Sequence, residues 1–344
     1  MALYTLTNKQ GIRVVVSSFG AVIREIHIPD RHGVDRDIVV GYRDEQDYLT
    51  NRHHFGSTVG RYANRISGGG FTLDGKRYDL PVNTQYGACL HSGPNCYDTR
   101  PFQITWNKPN DIHLELESPD GDQGFPGRLE LCATFSLEED NTLLIGYFGT
   151  VSKPCPVSFT NHTYFNLNGQ GGDSVANHVI SSDFDYFLES DNHCLPTGNI
   201  LPVDGTLLDF RSPRSLSRLL DFPQPQELAR FKGYDHILVN PKYIPNFRRV
   251  TVHSPATGIC MEVQGTAPAM GIYTANSFGK NPPIGKDGRP CTPHCAICLE
   301  TQHCPDAPNH PNFPNSIARP GKDFDFEFFT HYKFKVLNKN EIPC

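Results

Sequence analysis

The sequence predicts an all-β fold, a large antiparallel β-sandwich with few short helices, and three observations predict it. Apolar and polar residues alternate at a period of two in runs spread along the whole chain, as in half-buried strands. Thirty glycines and 28 prolines bound those runs in the manner of turn residues. Helical periodicity is confined to short pieces such as SLSRLLDF and PQELARF. A length of 344 residues would by itself suggest two domains. Composition does not shift along the chain, however, and no repeat appears, so residues 1–344 read as one domain.

The elements follow in order. FTLDGKRYDL sets Phe71 and Leu73 before Asp74-Gly75 and Tyr78 and Leu80 after it, the strongest short-range hairpin signal. GGG at 68–70 reads as a turn. DIHLELE alternates Ile112, Leu114 and Leu116 with polar residues, RVTVHSPATGICMEV reads as a second hairpin, and FDFEFFTHYKFKV alternates aromatics and charges almost to the C-terminus. FTNHTYFNLNG, from Phe159 to Gly169, also reads as a strand. Its odd positions are largely apolar, while Thr160, His162, Tyr164, Asn166 and Asn168 form a wholly polar face without Lys or Glu.

Composition narrows the partners. Thirty-one Lys and Arg against 37 Asp and Glu leave a formal charge of −6 with no basic run, so neither nucleic acid nor an anionic membrane is expected. A small neutral molecule fits better. No long apolar stretch and no leader-like N-terminus appear, and 11 cysteines without a secretion signal imply reduced thiols, so a cytoplasmic protein is expected. Cys291, Cys295, Cys298 and Cys304, with His294 and His303, raise the question of zinc. Only Cys295 and Cys298 have a CxxC spacing, which in a strand points to opposite faces, so no metal is expected.

Nucleotide-binding, nucleophile-elbow and zinc-protease motifs do not occur. What remains are ionisable residues set in polar or aromatic strands: His162, His91 in CLHSGP, Asp235 in GYDHIL and Glu300. Parity puts Ile297 and Leu299 toward the core, and Glu300 on the other side with Ala296, Cys298 and Gln302. An exposed edge-strand charge would be the plain explanation of Glu300. A carboxylate and an imidazole facing one cleft could instead move protons in opposite directions.

GRYANRI at 60–66, LH at 90–91, DGDQGFPG at 120–127, KPCPVSFTNHTYFNLNG at 153–169, GYDH at 233–236, TAPA at 266–269 and LETQHCPDAPNHPNFP at 299–314 together, in this order, resemble the aldose 1-epimerase (galactose mutarotase) family. The resemblance implies the family's β-supersandwich with a sugar groove on one concave sheet. It implies His162 as the acid that protonates the ring oxygen and Glu300 as the base that takes the anomeric hydroxyl proton. Asn64, Arg65, His91 and Asp235 match positions that bind sugar hydroxyls. The expected partner is a free aldose such as galactose or glucose, with no cofactor, and the protein is expected to be a monomer or homodimer. Two positions depart from the family pattern: Ser92 stands where a glycine commonly follows Leu-His, and Gly271 stands at or beside a sugar-contacting Gln. Rival readings are a non-catalytic sugar-binding module, a glycosidase using Asp235 with Glu300, and a sugar-phosphate epimerase, for which the motifs offer only Arg61 and Arg65 as cations.

Overall fold

The computed structural model describes all residues except 173, 222–225, 243–247, 280, 340 and 342–344, and of 226 and 227 only the backbone. Nine strands form the largest sheet, in the spatial order 103–108, 111–118, 129–137, 142–151, 326–336, 259–265, 249–253, 179–182 and 214–215. Every pairing within it is antiparallel. Its centre follows from side-chain alternation. Leu129, Leu131, Ala133, Phe135 and Leu137 all turn to the core from one strand, and Leu143, Ile145 and Tyr147 do so from its neighbour.

A second sheet of five antiparallel strands runs in the order 196–202, 186–190, 235–239, 269–273 and 298–302. Its last strand lies over strand 326–336 of the first sheet. There the Tyr332 hydroxyl donates to the Leu299 carbonyl at 3.2 Å, and the Thr301 and Thr330 hydroxyls bond each other. Leu299, Met270 and Ile272 join Met261, Val263 and Tyr332 in one core that extends from Leu6 to Phe334. The opposite face of the five-stranded sheet carries two rows set by register, Asp235–Tyr273–Cys298 and Ile237–Gly271–Glu300. A four-stranded N-terminal sheet, residues 3–7, 13–17, 22–29 and 35–37, adds Val14, Val16, Ile26 and Ile28 to the same core.

The expected hairpins form at 70–79 and 249–265, and Asp74 and Gly75 take the positive φ values of 49° and 79° that a tight hairpin turn requires. The two expected helical pieces are a 3₁₀ turn at Leu216–Leu220 and one turn at Gln226–Ala229; Phe222 and Pro225 of those stretches lie outside the described residues. FTNHTYFNLNG is not one continuous strand. It is broken into the two-residue bridges Thr160–Asn161 and Tyr164–Phe165, which pair with 58–59 and 39–40. His162 still pairs with the first of these segments, accepting from Gly56 N–H at 3.0 Å and donating to the Ser57 carbonyl at 2.9 Å, and the chain changes partner only after it.

Candidate active site

A cleft of about 520 Å³ opens over the face of the five-stranded sheet that carries Asp235 and Glu300. His162, Glu300, Asn64, Arg65, His91 and Asp235 all line it, although they are spread over more than 230 positions in sequence. Glu300 comes from the outermost strand of its sheet, but that strand is covered, and the residue is only 5% exposed. The explanation of Glu300 as a solvent-facing edge charge is therefore overturned.

His162 reaches Glu300, with Nε2 3.6 Å from Oε1. Its ring stacks on Tyr164 at 5.0 Å between centroids with the planes 22° apart. Burial disfavours charge on both groups. It pushes the Glu300 carboxyl up to about 8, with Asp235 adding to the rise and Arg65 opposing it, and it lowers His162 to about 3, with His54 adding to the fall. The pair thus shares one proton at neutral pH. Glu300 Oε2 is buried and has no hydrogen-bond partner among the described residues.

The sugar-side residues are held by local backbone geometry. Arg65–Ile66 pairs with Cys89–Leu90, and the flanking His91 N–H donates to the Asn64 carbonyl at 2.9 Å. The Asn64 N–H donates back to His91 Nδ1 at 3.2 Å, so the proton of neutral His91 sits on Nε2. Burial keeps His91 neutral, lowering its pKa well below the ordinary value, with His54 and His162 adding to the effect. Arg65 spans from the Asn64 amide oxygen, 3.2 Å from its Nη1, to Asp235, 3.7 Å from its Nη2.

Several expectations need correction. Of the polar face read from FTNHTYFNLNG, only His162 and Tyr164 line the cleft. Ser158, at the same parity, accepts from His303 N–H at 3.1 Å, and Asn166 donates to the Cys295 carbonyl at 2.9 Å; both are buried in protein. Ser92 is likewise not in the cleft. At φ 65° its Oγ accepts from Tyr62 N–H at 2.7 Å and donates to the Tyr62 carbonyl at 3.2 Å, so this departure is a backbone matter rather than a sugar contact. Arg61 is 1% exposed and donates to the carbonyls of Pro126 and Gly127, away from the cleft. Cysteines adjacent in sequence separate in space: Cys291, Cys295 and Cys298 pack with Tyr42 and Tyr164, whereas Cys304 packs with Leu188 and Phe313. Sequence reasoning missed His54, Tyr273, Arg52, Arg230 and Lys232, which also line the cleft. His53-His54 directly before the Phe55–Ile66 run was a signal available for the first of these.

A buried carboxylate and imidazole within reach of each other, ringed by hydrogen-bonding side chains in a cleft on a β-sandwich, are groups that can exchange protons with a polar small molecule. The aldose 1-epimerase family profile matches residues 2–329. A galactose mutarotase of Rattus norvegicus is 36% identical over 328 residues, covering 94% of this chain and 92% of its own. The aldose 1-epimerase of Escherichia coli K12 is 35% identical over 337 residues, covering 96% and 94%. Among solved structures, an aldose epimerase homologue from C. elegans superposes with a TM-score of 0.88 at 29% identity, covering 98% and 99%. The chain belongs to the aldose 1-epimerase family and is an isomerase.

Proposed function

We propose that this protein interconverts the α and β anomers of free aldohexoses such as galactose and glucose, with Glu300 as base and His162 as acid. The observation that carries the reading is the 3.6 Å approach of His162 Nε2 to Glu300 Oε1 inside a cleft whose other carboxylate, Asp235, is held by Arg65. The names of the relatives, galactose mutarotase and aldose 1-epimerase, support the substrate class.

The chemistry needs one base and one acid. Glu300 takes the proton of the anomeric hydroxyl, C1=O forms as the bond from C1 to the ring oxygen breaks, and His162 protonates that oxygen. The aldehyde turns about the C1–C2 bond and is attacked on its other face. The hydroxyl then returns its proton to His162, and Glu300 returns the first proton to O1. Burial by itself places the shared proton on the carboxyl. Sugar hydroxyls that donate to Glu300, together with the nearby Arg65 cation, stabilise the carboxylate and move the proton toward His162. Asn64, Arg65, His91 and Asp235 position the remaining hydroxyls. We assign these roles to one domain over residues 1–344, working in the cytoplasm as a monomer or homodimer; the ten described cysteines, all free thiols, support that compartment.

Polarimetry on freshly dissolved α-D-galactose and α-D-glucose tests the reading. Equilibration faster than the buffer rate is expected with protein, and no acceleration with either sugar would overturn it. Arg52, Arg230 and Lys232, which make no salt bridge among the described residues, favour a second reading in which the aldose carries a phosphate. Faster turnover of glucose 6-phosphate than of glucose would select that reading.

A further inference from the structure

We propose that His54, held by Asp98, is a specificity residue that recognises the exocyclic C6 hydroxyl of an aldohexose. The proposal rests on the anomer-interconverting reading above.

His54 lines the cleft as a third imidazole, its ring centroid 4.7 Å from His91 and 6.0 Å from His162. Its Nδ1 lies 2.6 Å from Oδ2 of Asp98, whose side chain is 4% exposed against 24% for His54. The buried carboxylate accepts a hydrogen bond from Nδ1–H, which leaves Nε2 as the ring nitrogen free to meet a ligand. The loop carrying it is tied down. His54 N–H donates to the Asn51 carbonyl at 2.8 Å, Ser57 Oγ donates to the His54 carbonyl at 2.9 Å, and the next residues bond the backbone of His162 in both directions. The backbone of His54 sits at φ 57°, a conformation few side chains adopt, so the ring is aimed at some conformational cost.

Position then selects the hydroxyl. With Glu300 at O1 and His162 at the ring oxygen, a group beside His162 and away from Glu300 meets the sugar on the far side of the ring oxygen, where C5 carries C6. His54 is such a group. Its ring stands beside those of His162 and His91, and it makes no hydrogen bond or ion pair with Glu300, whose own close contact is His162.

A metal reading fails on distance. Atoms of His54, Cys96 and Asp98 lie within 4.8 Å of one another. A tetrahedral zinc with bonds of about 2.0–2.2 Å would hold its nitrogen and oxygen ligands about 3.3 Å apart. The observed 2.6 Å is a hydrogen bond, and Cys96 donates its thiol proton to the Gly60 carbonyl.

The test compares kcat/KM for D-galactose and 6-deoxy-D-galactose, which differ only in the C6 hydroxyl. Wild type should prefer D-galactose by about tenfold or more, as sites built to bond a hydroxyl do. In His54→Phe the preference should fall to within about twofold, chiefly through KM for D-galactose. His54→Asn suits the left-handed backbone and cannot reach the cleft as far, so it serves if the Phe variant misfolds. A preference unchanged in a folded variant would overturn the assignment, as would one stoichiometric zinc in the purified protein. Absence of any aldose turnover by wild type would instead defeat the parent reading.

Discussion

Removing either half of the proton exchange has a size that can be stated in advance. Glu300→Gln keeps the shape of a side chain that packs at 5% exposure but cannot accept the anomeric proton, and His162→Ala removes the acid. Each should lower catalysed mutarotation by about 10² or more, a typical contribution of a positioned acid or base. Near-normal turnover in either variant, with circular dichroism unchanged, would refute the roles. The same pair sets the pH dependence. The competent enzyme carries one proton on the two groups, which holds between the lowered His162 value of about 3 and the raised Glu300 value of about 8. The kcat/KM profile should therefore be level through neutral pH and fall above about pH 8 as the shared proton leaves. A profile already falling from pH 6 upward would mean that burial does not control this pair.

At the level of the element, the chain segment after Leu90 shows how a side chain replaces the freedom of glycine. Asn64, His91 and Ser92 have φ of 67°, 51° and 65°, all in the left-handed region, and together they turn His91 into the cleft. The resemblance implies glycine at position 92, where no side chain would resist that backbone. Ser92 holds it instead with two hydrogen bonds to Tyr62. Ser92→Ala keeps the strain and loses both bonds, at a cost of about 1–3 kcal/mol. Ser92→Gly loses the bonds but also the strain, so urea unfolding should rank wild type first, Gly second and Ala last. An alanine variant as stable as wild type would show that the bonds contribute nothing net.

For the whole molecule, the buried acid links stability to pH. Glu300 has a folded value of about 8 against an ordinary 4.5. Between those limits the native state holds a proton that the unfolded chain has released, so stability falls as pH rises through the window. Glu300→Gln removes that dependence. Its stability relative to wild type should grow from pH 4.5 to 8, by up to about 4 kcal/mol. Paired thermal melts at the two pH values measure this, and a difference independent of pH would mean that the carboxyl is solvated. The site thus costs the fold stability at the pH where it works, a cost spread over a core that runs through both large sheets.

The sequence alone determined the class of fold, because a period of two and the Asp74-Gly75 turn are local properties that each strand carries by itself. It also determined which face of strand 298–302 holds Glu300, since strand parity leaves no other choice once Leu299 is in the core. Local pattern failed where backbone hydrogen bonds left the ladder. Nothing in FTNHTYFNLNG says that its first half pairs with 56–59 and its second with 39–40, a change of partner that breaks the strand, or that the first pairing brings His54 beside His162. Whether a polar residue meets the cleft or the interior was likewise decided by packing, as Ser158, Asn166, Arg61 and Ser92 show by finding partners in distant segments. The His54–Asp98 contact joins residues 44 positions apart, and the 3.6 Å approach of His162 to Glu300 joins two others still farther apart in sequence. Such distances depend on how whole sheets stack, and no period in one dimension encodes them.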